Sequence, residues 1–147
     1  MDIQSMIKPV IDVQDVRVHA SDEGWLQTDK EGMAFVKPLW TSPESGGWAV
    51  LFRWKAGYVA GAHKHLGAIH AFIVSGKLQV RDAVLAEGDY VYEANGVIHD
   101  ETTALEDTVH LNIADGPVIF YDDSSLQGYF GWEQVEAIKQ TLKQAQK

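Results

Sequence analysis

Two histidine signals, each framed by glycines, constrain this chain more than any other feature. The first reads Gly57-Tyr-Val-Ala-Gly-Ala-His63-Lys-His65. The second, Gly88-Asp-Tyr-Val-Tyr-Glu93-Ala-Asn-Gly96-Val-Ile-His99, repeats the order of glycine turn, strand, turn and histidine. A strand sends successive side chains to opposite faces, so His63 and His65 share one face and Lys64 takes the other. A third imidazole, His99 on a neighbouring strand, completes a facial set of three nitrogen ligands. Such a set leaves positions open on a divalent metal for substrate or oxygen. A lone histidine is more often a surface residue or a satisfied core residue than a ligand; two glycine-framed motifs in order are far more specific. His19 lies outside both motifs and reads as a surface residue.

The rest of the chain predicts short strands. Met33 to Trp40 reads as extended, and Thr41-Ser-Pro-Glu-Ser-Gly-Gly47 as a turn. In Trp48-Ala-Val-Leu-Phe-Arg-Trp54, residues Trp48, Val50, Phe52 and Trp54 share a face. Turns then recur at Ala56-Gly57, Ser75-Gly76, Glu87-Gly88 and Asn95-Gly96, a spacing that predicts an all-β sandwich or barrel. Residues 1–24 read as one edge strand, from Ile11, Val13, Val16 and Val18. Ala71–Val74 and Lys77–Arg81 read as a hairpin about Gly76. Thr108–Ile113 reads as a strand in which His110 is a barrel-wall histidine. Val118-Ile-Phe-Tyr121 reads as the last strand, ended by Asp122-Asp-Ser-Ser. In the tail, Val135, Ile138 and Leu142 fall at helical spacing without Gly or Pro, which predicts an amphipathic helix over about 132–145. The 147 residues suit one domain, with its barrel core over about 33–122.

Composition excludes several function classes. There are no cysteines, hence no disulfide, thiolate ligand or cysteine nucleophile. A formal net charge of −9 argues against nucleic-acid binding, which needs a basic face. No apolar stretch approaches the ~20 residues that span a bilayer. The N-terminus lacks a basic region followed by an apolar run. A cytoplasmic protein is the expectation.

The paired motifs resemble the two signatures of the cupin superfamily, over residues 57–76 and 88–99. In the first, a glycine stands six positions before His-x-His. In the second, a glycine precedes a turn and a histidine. Two positions depart from the pattern. Ile69-His70 occupies the usual place of an acidic ligand, and Ala94 that of a turn proline. The resemblance implies an all-β fold, a cupin jelly-roll barrel with one C-terminal α-helix, and a three-histidine site rather than three histidines and a glutamate.

Ser42–Trp48, Gly57–His65, Gly76–Arg81, Glu93–His99 and Gly116–Asp123 through Gly131-Trp132 further resemble the acetylacetone-cleaving dioxygenase family. This likeness extends over about residues 38–140. The segments His63–Phe72 and Gly88–Glu93 are also similar to the 2,4'-dihydroxyacetophenone dioxygenases. The resemblance implies Fe(II) held by His63, His65 and His99, with Zn or Ni in a purified sample. It implies O2 and a β-diketone or hydroxyaryl ketone as substrates, the ketone bound as its enolate. Arg81 and Glu93 match a cavity arginine and glutamate that orient a histidine and tune the enolate. His70 stands where the diketone-cleaving pattern has a glutamate and is expected to act in the outer sphere. Phe72 and His110 are candidates for the cavity wall. A homo-oligomer, dimer or tetramer, goes with the fold. The competing readings are a metal-binding cupin sensor, a zinc or manganese hydrolase or isomerase on the same site, and a storage-type cupin.

Overall fold

The computed structural model describes residues 2–8 and 14–146. A short helix α1 (Ile3–Ile7) comes first, capped by the Asp2 carboxylate, which accepts from the Gln4 amide. Fourteen strands follow. They are β1 (Leu26–Gln27), β2 (Ala34–Thr41), β3 (Trp48–Trp54), β4 (Val59–Ala60), β5 (His63–His65), β6 (Ile69–Ser75) and β7 (Lys77–Val80). Then come β8 (Ala83–Ala86), β9 (Tyr90–Glu93), β10 (Ile98–His99), β11 (Thr102–Ala104), β12 (Thr108–Ala114), β13 (Val118–Tyr121) and β14 (Leu126–Phe130). Helix α2 (Trp132–Ala145) closes the chain at the predicted bounds.

The strands pair antiparallel in three sheets. One has the order β1-β2-β3-β12-β6-β9, the second β10-β5-β13-β14, and the third β4-β11-β7-β8. Their inner faces enclose one central cavity, to which every strand from β2 to β14 contributes a lining residue. This is a jelly-roll barrel, in which closure leaves few unpaired strand edges. Strand β3 shows why the sequence closes this way. Its inner residues Trp48, Val50 and Trp54 are buried, and Trp48 Nε1 donates to the Gly116 carbonyl at 2.9 Å. That bond satisfies the polar end of an otherwise apolar side chain.

Helix α2 packs on β2, β3 and β14. Val135 and Ile138 are buried, each worth about 1.5–3 kcal/mol, and Leu142 packs beside them. Gln134 Oε1 accepts from the Gly131 amide at the helix start, and Glu136 Oε2 accepts from Thr41 Oγ1 at 2.9 Å, tying the helix to β2.

Three expectations are corrected. Residues 14–24 form no strand, and the segment containing Ile11 and Val13 lies outside the described residues. Val16 and Val18 are exposed, and the chain is held instead by buried Lys37, whose Nζ donates to the carbonyls of His19 and Ser21. Strands β6 and β7 do not form a hairpin. Gly76 turns a corner between two sheets, since β6 pairs with β12 and β9 while β7 pairs with β11 and β8. Strand β13 is not the last either. The turn at 122–125 leads into β14, its antiparallel partner, and Asp122 Oδ1 accepts from the amides of Ser124 and Ser125 to shape that turn.

Candidate metal centre

Strand β5 is a central strand, flanked by β10 and β13. Period two puts His63 and His65 on its inner face, and the antiparallel register sets His99 directly opposite His63. The Gly96 turn makes this register possible. Its φ of 91° is favourable for glycine, and its amide donates to the His65 carbonyl. His63, His65 and His99 each bring one ligand atom within 4.8 Å of the others. His65 and His99 are buried and His63 is half-buried.

The protonation pattern suits a cation. His63 Nδ1 lies 2.9 Å from the Gly61 carbonyl, which only accepts, so this nitrogen carries the proton and Nε2 keeps its lone pair. Burial lowers the His63 pKa, against a hydrogen bond to Gly61 that raises it. Burial pushes His65 down to about 4, against the opposing charge of Glu93. Both rings are therefore neutral near pH ~7, the form in which imidazole binds metal.

Glu93 reaches the same point from β9, an edge strand of the opposite sheet. Its Oε2 contacts His99 Nε2 and lies 3.6 Å from His65 Nε2. Burial alone would raise the Glu93 pKa; the bond with His99 and the three nearby imidazoles lower it overall, so the carboxylate is charged. A carboxylate drawn onto two imidazole nitrogens marks a spot whose field favours positive charge. The donor set thus fits a divalent metal, with Glu93 alongside.

Other predicted site residues lie elsewhere. His70 and Phe72 point outward from β6, because Ile69, Ala71 and Ile73 take its inner face. His70 Nδ1 bonds to the Tyr90 hydroxyl at 2.6 Å and the ring packs on Tyr92, so it is neither a ligand nor an outer-sphere group of this centre. Phe72 is 41% exposed and is not cavity wall. Arg81 sits at the turn between β7 and β8 with φ 55° and is exposed rather than a cavity arginine. Its Nη2 donates to the Ile98 carbonyl at 2.7 Å, so it steadies the strand that carries His99.

His110 does line the cavity, a volume of about 290 Å³ bounded largely by apolar and aromatic side chains. Phe52, Trp54, Ile73, Leu78 and Leu85 supply much of that wall. Sequence reasoning passed over Asn112, which lines the cavity two residues from His110. Burial pushes the His110 pKa down to about 3, against the pull of Glu93. The unfolded chain titrates near ~6.5, so over this interval it binds a proton that the folded protein refuses, and acid favours unfolding. The stability involved is complete above pH ~6.5 and is lost as pH falls toward ~3, at up to roughly 1.4 kcal/mol per pH unit. His110→Phe is expected to flatten this acid dependence. Chemical denaturation of the metal-free protein near pH ~7 and ~5 measures it, and equal slopes for the two proteins would contradict the argument.

Comparison with known proteins agrees with this picture. The ChrR cupin-like domain model matches residues 13–119. An acetylacetone-cleaving enzyme of Acinetobacter johnsonii is 28% identical over 106 residues, covering 67% of this chain and 69% of the relative. A solved acetylacetone dioxygenase from the same organism superimposes with a TM-score of 0.81 at 22% identity, over 97% of this chain and 99% of that one. A candidate acetylacetone dioxygenase of Methylibium petroleiphilum PM1 gives a TM-score of 0.73 at 25% identity, over 86% and 97%.

Proposed function

The chain belongs to the ChrR cupin-like domain family, and from that premise we propose that it is an Fe(II)-dependent dioxygenase cleaving a carbon–carbon bond of a β-diketone or hydroxyaryl ketone. The observation that carries the reading is the convergence of His63, His65 and His99 on one end of a largely apolar cavity. Similarity to the acetylacetone-cleaving enzyme supplies the reaction class.

In this reading the three histidines hold the metal and residues 1–147 are one cupin domain. Fe(II) bound there supplies Lewis acidity toward an enolate and the capacity to react with O2. Imidazole ligands add no negative charge of their own, which favours an anionic ligand. The chain's own residues do the rest. The Glu93 carboxylate, at the metal end of the cavity, accepts the proton that the ketone loses on enolisation, while the C–H electron pair becomes the C=C bond of the enolate and the carbonyl π pair moves onto oxygen. Phe52, Trp54, Ile73 and Leu78 exclude water and hold the carbon skeleton in one pose, so positioning and a low dielectric lower the barrier. The overall reaction breaks one carbon–carbon bond and places one oxygen atom of O2 in each fragment.

With no disulfide requiring an oxidising compartment, the reading places the reaction in the cytoplasm. It also includes self-association. Phe72, Val74, Tyr90, Tyr92 and Ile113 lie side by side on the outer face of β6, β9 and β12. Together they expose roughly 400–500 Å² of mainly apolar surface, over half of what each partner gives a standard interface, and a second copy of this chain is the occupant proposed. Sedimentation velocity tests that occupant.

The reaction is tested with ¹⁸O₂ and Fe(II)-loaded protein. Mass spectrometry is expected to find one labelled oxygen in each fragment. Unlabelled fragments, with oxygen from water entering the carboxylate fragment alone, would point to hydrolysis and overturn the dioxygenase reading.

A further inference from the structure

Strand β12 is inside out. Thr108, His110, Asn112 and Ala114 face inward and are buried, while Val109, Leu111 and Ile113 face away from the cavity. A strand that turns its apolar residues away from the interior and its polar ones toward it goes against the ordinary preference. A cavity that receives a polar ligand gives a reason for this.

His110 states what that ligand must offer. The ring is 4% exposed. It packs between Phe52, at 5.3 Å, and Trp54, at 4.5 Å in an edge contact. Asn112 Nδ2 lies 2.8 Å from His110 Nδ1. An amide nitrogen donates, so Nδ1 accepts and the proton of the neutral ring is on Nε2. That N–H is buried and has no partner among the described residues. Buried donors are nearly always paired, so one left open on the wall of a cavity points to a ligand acceptor. His110 belongs to the six-stranded sheet, while the three clustered histidines belong to the sheet across the cavity. A ligand that meets both spans the barrel interior, and Phe52, Trp54 and Tyr58 offer it flat aromatic walls.

We propose that His110 is a specificity-determining residue whose Nε2–H donates to an oxygen carried beyond the metal-seeking end of the substrate, selecting an aryl ketone with a ring oxygen over a short aliphatic diketone. Asn112 is the positioning residue that fixes the His110 tautomer. This inference rests on the reading that the cavity beside His63, His65 and His99 is the substrate site.

The test uses zinc-loaded protein without turnover, and two probes with the same metal-seeking end, benzoylacetone and its para-hydroxylated analogue. Calorimetry is expected to give at least about tenfold tighter binding of the hydroxylated probe to the native protein. His110→Phe is expected to keep its zinc but lose that preference. Equal binding of the two probes by native protein, or a preference that survives in His110→Phe, overturns the inference and leaves the proposed reaction standing. Binding of neither probe overturns both. Nitrogen NMR of the native protein gives a readout independent of any variant. It is expected to find the His110 proton on Nε2, with that resonance shifting when the hydroxylated probe binds; a proton on Nδ1 overturns the inference.

Discussion

His99→Ala is expected to lower metal affinity more than about a hundredfold and to remove oxygen uptake with it. Loss of a group that only orients a ligand already costs about 10- to 100-fold, and loss of a ligand costs more. His99 is one of three candidate nitrogens, stands directly opposite His63 and holds the Glu93 carboxylate in place. Its removal leaves two imidazoles and a mostly buried carboxylate with only His65, at 3.6 Å, beside it. The fold should survive, since the neighbouring ladder is made by backbone groups, including the bonds from the His65 amide to the Val97 carbonyl and from the Gly96 amide to the His65 carbonyl. Metal content after dialysis, read beside far-ultraviolet circular dichroism, separates the two effects. A folded variant that keeps one equivalent of metal would sink the ligand assignment.

The second large effect concerns the scaffold. Gly76→Val should cost about 3–5 kcal/mol or prevent folding. At φ 90° a side chain is strained wherever it points. Here an added Cβ would also lie 2.4 Å from the Asp107 carbonyl oxygen and 2.7 Å from the Thr108 Cα. Both are backbone atoms and cannot swing aside. Gly88, at φ 88°, has nothing within 4 Å of the same position. Gly88→Ala should therefore cost only the strain, about 1 kcal/mol. Denaturant midpoints of the two variants measure the difference. Similar losses would mean that the corner at Gly76 is not close-packed.

That corner also shows where sequence reasoning stops. Ser75-Gly76 between two apolar runs looks the same whether the strands pair with each other or part into different sheets, because the glycine supplies a positive φ in either case. The choice lies with partners far away in the chain, β12 for one strand and β11 for the other. Strand β14 escaped notice because Leu-Gln-Gly-Tyr-Phe has an interior glycine and only half-buried inner residues. The first residues looked strand-like from their valines, yet in the described part those valines face solvent and find no ladder.

The clear periodicities were legible. Strand β3 alternates and helix α2 has a 3.6-residue stripe, and both fall where the pattern puts them. The histidine cluster was legible for the same reason, since two residues apart on a strand means one face. The surrounding residues were harder. Ala71-Phe-Ile-Val is apolar on both faces, so nothing in it says that Phe72 and His70 turn outward. On β12 the apolar residues mark the wrong face, and they hide the inward pair His110 and Asn112. Resemblance placed Arg81 in the cavity, but its turn carries it to the rim, where its contact is with the Ile98 carbonyl.

Whether the iron-loaded protein is a dioxygenase is decided by oxygen consumption. Protein loaded anaerobically with Fe(II) is offered β-diketones and hydroxyaryl ketones, beside the zinc-loaded protein and His99→Ala. Substrate-dependent uptake, one O2 per ketone, is expected with the iron-loaded native protein alone. No uptake from protein carrying a full equivalent of Fe(II) at His63, His65 and His99 would contradict the dioxygenase reading.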